Sequence, residues 1–371
     1  PPRSTLFPYT TLFRSGSFKI RGAYNKIMNL SAEEKARGVV ASSAGNHAQG
    51  VALSSKLAGV RSVIVMPETA PLNKISATRS YGGEIILKGE IYDDAFEYAK
   101  ELEKKEGYTF VHPYQDSHII AGQGTIGLEI LTQLQDVDSV IVPIGGGGLI
   151  SGIGVAIKTL KPSCKIFGVQ SEQTPGMSQL FKHQSPETKS KRITTIADGI
   201  AIKKPSPEMH SQFISKYVDD IVTVSDDEIA EAIVYLVERM KTVTEGSGAT
   251  AFAALMKHKL DYGKNVCVVL SGGNIDLNIV SKVIERGQIT RGRLAKMSVV
   301  VEDMPGNLQK LTQIIAMEKA NILEVNHDRL THGLSLRETR IDFFLETNSF
   351  DQIKRIEAGI EKIGGKVLHT A

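Results

Sequence analysis

The sequence predicts an α/β protein with two parallel-sheet subdomains, followed by a small ferredoxin-like βαββαβ domain. Three observations carry this. From residue 38 to about 290, short β-branched runs alternate with amphipathic stretches, the rhythm of parallel sheets joined by crossover helices. The runs number eight and are spread nearly evenly, which fits two sheets better than one. After about residue 290 the order becomes strand, helix, strand, strand, helix, strand, the split unit of ferredoxin-like folds.

Residues 1–15 (PPRSTLFPYTTLFRS) precede all of this and show neither helical nor strand periodicity, nor the continuous apolar run of a signal peptide. Residues 5–15 resemble a translated sequencing adapter, since CTC TTC CGA TCT encodes Leu-Phe-Arg-Ser. The expectation is a non-native segment joined at Gly16 to a domain truncated at its N-terminus.

The expected strands are GVVAS (38–42), SVIVMP (62–67), EIILKG (84–89), TFVHP (109–113), SVIVPI (139–144), KIFGVQ (165–170), DIVTVS (220–225) and NVCVVL (265–270). Helix-like stretches lie between them, among them NHAQGVALSSKLAG, YDDAFEYAKELEKKEG and DDEIAEAIVYLVERMK. In the last, Ile229, Ile233, Leu236, Val237 and Met240 fall on one face, and Ser225 with Glu228 makes a capping box. The smaller subdomain should span about 38–135, and the whole first domain 16–290. RGQITRGRLAKM (286–297), polar and basic, reads as a linker into a C-terminal domain over 291–371. There, Pro305 suits the first turn of a helix, and Gly364 with Gly365 a C-cap.

The chain has 371 residues, 44 basic and 41 acidic, for a net charge of +3. No basic stripe interleaved with aromatics points to nucleic acid, and no apolar run reaches membrane-spanning length. Cys164 and Cys267 sit in or beside apolar strand-like runs, as buried free thiols of a cytoplasmic protein do.

Ligands of open parallel sheets bind where strands end and helices begin. Three Gly/Ser-rich turns lie at such places: SSAGNH (42–47), the tetraglycine Gly145, Gly146, Gly147 and Gly148, and SGGN (271–274). The tetraglycine can turn several backbone N–H groups toward a phosphate at a helix N-terminus. It is neither the dinucleotide fingerprint nor a Walker loop, because Ile150 and Ser151 follow and no Lys-Ser/Thr pair does. By itself it reads almost equally well as a tight turn. Lys19, in GSFKIRGA (16–23), would need no explanation as a surface residue. Beside a phosphate cradle, a lysine can hold an aldehyde cofactor covalently.

The segments GSFKIRGA, SSAGNHAQGVA, AGQGTIGLEI, VPIGGGGLISG, TIADGIA and VVLSGGNID, in this order, resemble those of threonine dehydratases (threonine ammonia-lyases). These belong to the β-family, or fold type II, of pyridoxal-phosphate enzymes, whose fold is that of the tryptophan synthase β-chain. The resemblance runs from Gly16 to about residue 290 and implies roles by position. Lys19 would carry pyridoxal phosphate and act as the catalytic base. Gly145, Gly146, Gly147 and Gly148 would hold its phosphate, Asn46 its ring hydroxyl and Ser271 its ring nitrogen. Ser43, Ala44, Gly45 and His47 would line the pocket for the substrate carboxylate.

The reaction implied is conversion of L-threonine to 2-oxobutanoate and ammonia, and of L-serine to pyruvate. Serine racemases share most of these motifs but have a serine where this chain has Ala44, so the second base is missing. A serine racemase or serine dehydratase of the same fold is the alternative within the family; a catalytically dead amino-acid sensor is the alternative outside it. Glu172 matches a carboxylate that coordinates a cation in some relatives, although Ser178 stands where they have a second one; one carboxylate with backbone carbonyls could hold a monovalent or weak divalent ion, and a solvated or helix-capping Glu is the alternative. Glu245 also matches the family pocket, or serves as the N-terminal acid of a helix.

MSVVVEDMPGNLQKLTQIIAMEKANILEVNHDR resembles an ACT domain, a module that senses amino acids. The resemblance implies an amino-acid effector near Gly306 and Asn321, with isoleucine, downstream of 2-oxobutanoate, the natural feedback ligand. It also implies a homo-oligomer, dimer or tetramer.

Overall fold

The computed structural model describes residues 15–186, 195–257, 260–329 and 333–369. Residues 1–14 of the expected non-native segment lie outside them. The chain divides into two compact units, Pro1–Asp276 and Leu277–Ala371.

In the first unit the eight β-branched runs form β1 (Val39–Ser42), β2 (Ser62–Met66), β3 (Glu84–Leu87), β4 (Thr109–Phe110), β5 (Ser139–Pro143), β6 (Lys165–Ser171), β7 (Asp220–Val224) and β8 (Val266–Val268). They make two four-stranded sheets, ordered β3-β2-β1-β4 and β7-β6-β5-β8. Every pairing is parallel. The two orders match. In each, the chain steps outward for two strands and then returns to the other side of its starting strand. At that reversal, beside β1 and beside β5, loops part in opposite directions and leave a crevice at the carboxyl ends.

β1, β2 and β5 are buried along their whole length, as strands covered on both faces must be. Around β5, the residues Val140, Val142, Ile144, Ile153, Ile157 and Ile166 form one core; Val39, Ala41, Val51, Ile64 and Ile119 belong to another. β4 is shorter than the expected TFVHP. Its ladder with β1 ends near Val111, and the chain turns at once, with the N–H groups of Tyr114 and Gln115 donating to His112 Nδ1.

Helices Asn46–Ala58 and Tyr92–Glu106 stop where their sequences say they should, each followed by a glycine in the left-handed region, Gly59 and Gly107. Ser225 and Glu228 form the expected capping box of helix Asp226–Tyr235. Met240 departs from expectation: it is 61% exposed. Over Leu236–Met240 the helix widens to wider-turn bonding, so the 3.6-residue spacing no longer carries Met240 onto the buried face with Ile229 and Ile233.

The second unit opens with helix Leu277–Ile289 and continues β9 (Leu294–Glu302), helix Asn307–Met317, β10 (Asn321–Asp328), β11 (Glu338–Glu346), helix Phe350–Lys362 and β12 (Lys366–His369). Its antiparallel sheet is ordered β10-β11-β9-β12, the ferredoxin-like arrangement. Leu311, Ile315, Ile356 and Ile360 of two helices pack on Val299, Ile341, Phe343 and Leu345 of the sheet.

The run 286–297 is not a loose linker. It leaves helix Leu277–Ile289 and enters β9, where Leu294, Ala295 and Met297 are buried and the ladder to β11 begins at Leu294 opposite Glu346. Pro305 lies in the turn before helix Asn307–Met317 rather than in its first turn. Gly364 closes the later helix with φ +85°, and Gly365 N–H donates to Ile360 O at 3.1 Å. Among the described residues, no helix is long and apolar enough to cross a membrane.

Candidate active site

A cavity of about 890 Å³ opens in the first unit where the strand orders of both sheets reverse. The turns after β1, β4, β5 and β8 all reach it. It therefore collects all three Gly/Ser-rich turns and Lys19.

Lys19 is set by the strand-like segment before it. Ser17 bridges Gly272, Phe18 N–H donates to Ser271 O at 3.1 Å, and Gly273 N–H donates to Gly16 O at 2.8 Å. This stitching delivers Lys19 as the first residue of helix Lys19–Met28, with Nζ donating to Pro113 O at 2.8 Å. Burial brings its ammonium down from an ordinary 10.5 to about 8, against the opposing pull of Glu245.

The turn after β1 is held by its own serine, for Gly45 N–H donates to Ser43 Oγ at 3.1 Å. Ser43, Ala44, Gly45, Asn46 and His47 all line the cavity. Asn46 starts helix Asn46–Ala58, and its Nδ2 donates to Glu245 Oε1 at 2.6 Å. His47 donates Nε2–H to Val111 O at 2.8 Å. Burial, then the Lys19 charge, hold its pKa at about 3, so the ring is neutral and anchors the turn without offering a cation.

Gly145, Gly146, Gly147 and Gly148 follow β5 and open helix Gly148–Leu160. Gly147 has φ +94°, which side-chain-bearing residues rarely adopt, and a Cβ at Gly146 would run into the Tyr114 ring. Among the described residues, none of the four N–H groups donates to a protein acceptor. Ser271, after β8, is buried, and its Oγ reaches only Ser247 O, at 3.5 Å.

Three more polar atoms of cavity-lining residues, Ser42 Oγ, Gln123 Oε1 and Ser247 Oγ, are buried without a partner. Orphaned polar atoms around one cavity mark a place that a polar ligand completes. Free N–H groups at a helix start suit a phosphate, and a nearby amine of lowered pKa suits an aldehyde. The residues present thus fit a phosphorylated aldehyde cofactor.

Not every expected residue converges here. Glu172 is exposed, and no three His, Cys, Asp or Glu side chains form a metal-holding group among the described residues. Ser178, in the place of a second carboxylate, turns its Oγ to Ile221 O. In the second unit, Gly306 lines a small cavity of about 170 Å³ with Asp303, Pro305, His327 and Arg329. Asn321 is not part of it. It begins β10 and donates to Glu346 Oε2 at 3.3 Å, because helix Asn307–Met317 separates it from Gly306.

Conversely, Tyr114, Gln123, Asp198 and Asn274 reach the first cavity without having been singled out. Asn274, Gln123 and Asp198 had a signal, since they sit inside the quoted motifs VVLSGGNID, AGQGTIGLEI and TIADGIA; Tyr114 had only its place after an expected strand end.

Comparisons with known proteins point to the same cofactor. The model of the family "Pyridoxal-phosphate dependent enzyme" matches residues 10–272. The L-threonine ammonia-lyase of Thermotoga maritima is 49% identical over 348 residues, 93% of this chain and 86% of the relative. That of Geobacter sulfurreducens is 44% identical over 361 residues, 96% of this chain and 89% of the relative. Among solved structures, the processed form of threonine deaminase isoform 2 from Solanum lycopersicum superposes with a TM-score of 0.69 at 38% identity, covering 74% of this chain and 76% of that one. Maize serine racemase gives 0.68 at 34% identity, covering 74% and 85%. The chain belongs to the pyridoxal-phosphate-dependent enzymes.

Proposed function

We propose that this chain is an L-threonine ammonia-lyase, forming 2-oxobutanoate and ammonia from L-threonine and pyruvate from L-serine. The observation that carries the reading is Lys19 Nζ inside the cavity of the tetraglycine, in a chain whose relatives bear that name over most of their length. Pyridoxal phosphate, when bound, supplies an electron sink for the substrate's Cα.

The chain's own residues do the rest. Gly145, Gly146, Gly147 and Gly148 would hold the phosphate through backbone N–H groups, Asn46 the ring hydroxyl and Ser271 the ring nitrogen. Lys19 Nζ, with a pKa near 8, is neutral in a far larger fraction at neutral pH than an ordinary lysine, and takes the Cα proton. Since His47 is neutral and bonded to Val111, and the Ser43 and Gly45 N–H groups already donate to Val65 O and Ser43 Oγ, the Ala44 N–H and the start of helix Asn46–Ala58 are left to meet the substrate carboxylate. Ser271 carries a hydroxyl rather than a carboxylate and cannot keep a proton on the ring nitrogen. That favours prompt loss of the β-hydroxyl. Ala44 supplies no second base for racemisation.

The C-terminal region 291–371 reads as an ACT-type regulatory domain for an amino-acid effector, with 16–290 as the catalytic domain. The βαββαβ order and the small cavity beside Gly306 support this. A cytoplasmic homo-oligomer, dimer or tetramer, goes with it.

The test is an absorbance spectrum of the protein with pyridoxal phosphate, before and after L-threonine, beside Lys19→Ala. A visible band that needs Lys19, with 2-oxo acid formed from threonine, is the expected result. A wild-type protein with no band, or with a band but no 2-oxo acid, overturns the reading; a sensor has no need of Lys19.

A further inference from the structure

Two residues without a role in the proposed reaction stand on either side of Asn46. Asn274 Nδ2 donates to Asn46 Oδ1 at 2.6 Å, and Asn46 Nδ2 donates to Glu245 Oε1 at 2.6 Å. Asn274 Nδ2 also reaches Ser15 O at 2.8 Å and Gln49 Oε1 at 3.3 Å, tying the segment that leads to Lys19 into the same cluster. These bonds leave the Asn46 amide one orientation. Its oxygen is occupied by a donor and one of its two Nδ2 hydrogens by an acceptor. Turned over, it would set nitrogen against the Asn274 amide nitrogen and oxygen against the Glu245 carboxyl. One Nδ2 hydrogen remains for a ligand.

Glu245 is placed for this and not for capping. It precedes helix Gly246–Lys257, whose free N–H groups would draw an ordinary N-terminal acid. Yet among the described residues its carboxyl accepts from Asn46 and from none of that helix's N–H groups. It is 6% exposed, and its Oε1 occupies the space that a Cβ at Gly272 would take.

We propose that Glu245 is a positioning residue that sets, through Asn46, the hydrogen bonding and charge at the cavity wall facing the cofactor's ring hydroxyl, with Asn274 holding Asn46 in register. This rests on the reading of Asn46 as the partner of that hydroxyl. The charged groups facing Glu245 are Asp198 from the turn at 198–200, Lys74 from helix Leu72–Ser80 and Lys19 from its own helix. Burial first, and Asp198 second, push its carboxyl up to about 7, against Asn46, Lys74 and Lys19. Below that pH the group is neutral. Above it, an anion lies one hydrogen bond from Asn46 and strengthens that bond.

The experiment follows the visible absorbance of bound pyridoxal phosphate as pH is raised, in the full chain and in three variants. Wild type should show a spectral transition with its midpoint above the ordinary carboxylate range, the direction in which burial and Asp198 push Glu245. Glu245→Gln should keep the band and lose the transition. Asp198→Asn, at an exposed site, should move the midpoint to lower pH, because it removes a like charge and frees Lys74 from their 2.7 Å bond. This variant tests the proposal even if Glu245→Gln folds poorly. Asn274→Ala should keep the transition but bind pyridoxal phosphate roughly tenfold more weakly. A band whose transition is the same in wild type, Glu245→Gln and Asp198→Asn overturns this proposal alone. A wild type with no band brings down the reading of Lys19 and Asn46, and this proposal with it.

Discussion

The two parallel sheets of the first unit share a strand order but equip the cavity in opposite ways. At the reversal beside β1, the turns supply side chains: Ser43, Asn46 and, after β4, Tyr114. At the reversal beside β5, the tetraglycine supplies backbone N–H groups, and Ser271 after β8 adds a single hydroxyl. The same topology thus opens two halves of one crevice, and loop composition decides what each half offers. Backbone groups suit a multiply charged anion, because several can converge without ordering long side chains. Side chains suit directional contacts to a ring and a substrate. The halves should fail differently, one when a side chain is added and the other when a polar atom is removed.

The largest effect should come from adding an atom on the backbone side. Gly146→Ala puts a Cβ into the Tyr114 ring and should weaken pyridoxal phosphate binding by roughly 10- to 100-fold, read by equilibrium dialysis. Tyr114→Ala in the same chain should restore part of the loss; no restoration would mean that the glycine is needed for another reason.

Next is the shared interior. Lys19→Met should stabilise the cofactor-free protein at pH 7 by about 3 kcal/mol in denaturant melts. The sign follows from the lowered pKa. Between about 8 and 10.5 the unfolded chain holds the Lys19 proton and the folded chain does not, so wild-type stability rises with pH there. The variant's advantage should be full below 8 and gone above 10.5; an advantage that does not vary with pH would break the low-dielectric account.

On the side-chain half, Ser43→Ala removes the acceptor of Gly45 N–H at 3.1 Å. It should raise KM for L-threonine about fivefold while cofactor affinity holds. An equal loss of both would erase the division between the halves. The smallest effect belongs to Lys74→Ala, which breaks the 2.7 Å pair with Asp198, a partner 59% exposed at its side chain. Activity should stay within about twofold and the difference should shrink with added salt.

Much of the fold was legible in local pattern. β-branched runs announced every strand of the first unit, Gly364 with Gly365 announced the end of a helix, and Ser225 with Glu228 announced a helix start. The misreadings share a cause. Met240, Pro305 and the run 286–297 each follow a local rule that the backbone departs from: a widened helical turn, a helix that starts two residues after Pro305, and a ladder that recruits Leu294 into β9 despite its basic neighbours.

The site divides along the same line. The turn at 42–47 and the tetraglycine stand out because an unusual composition sits next to a strand end, whereas Lys19 gains meaning only beside the tetraglycine and through the family resemblance. Asn46, Glu245 and Asn274 are 199 and 228 residues apart as bonded pairs, and nothing in their neighbours announces the bonds. The sequence by itself determined the strands, most caps and the residues able to hold a phosphate and an aldehyde, because periodicity and capping act over a few residues. Only the tertiary structure decided which of them meet. That depends on two sheets burying both faces and bringing the ends of distant strands around one cavity, a long-range outcome that no short window contains.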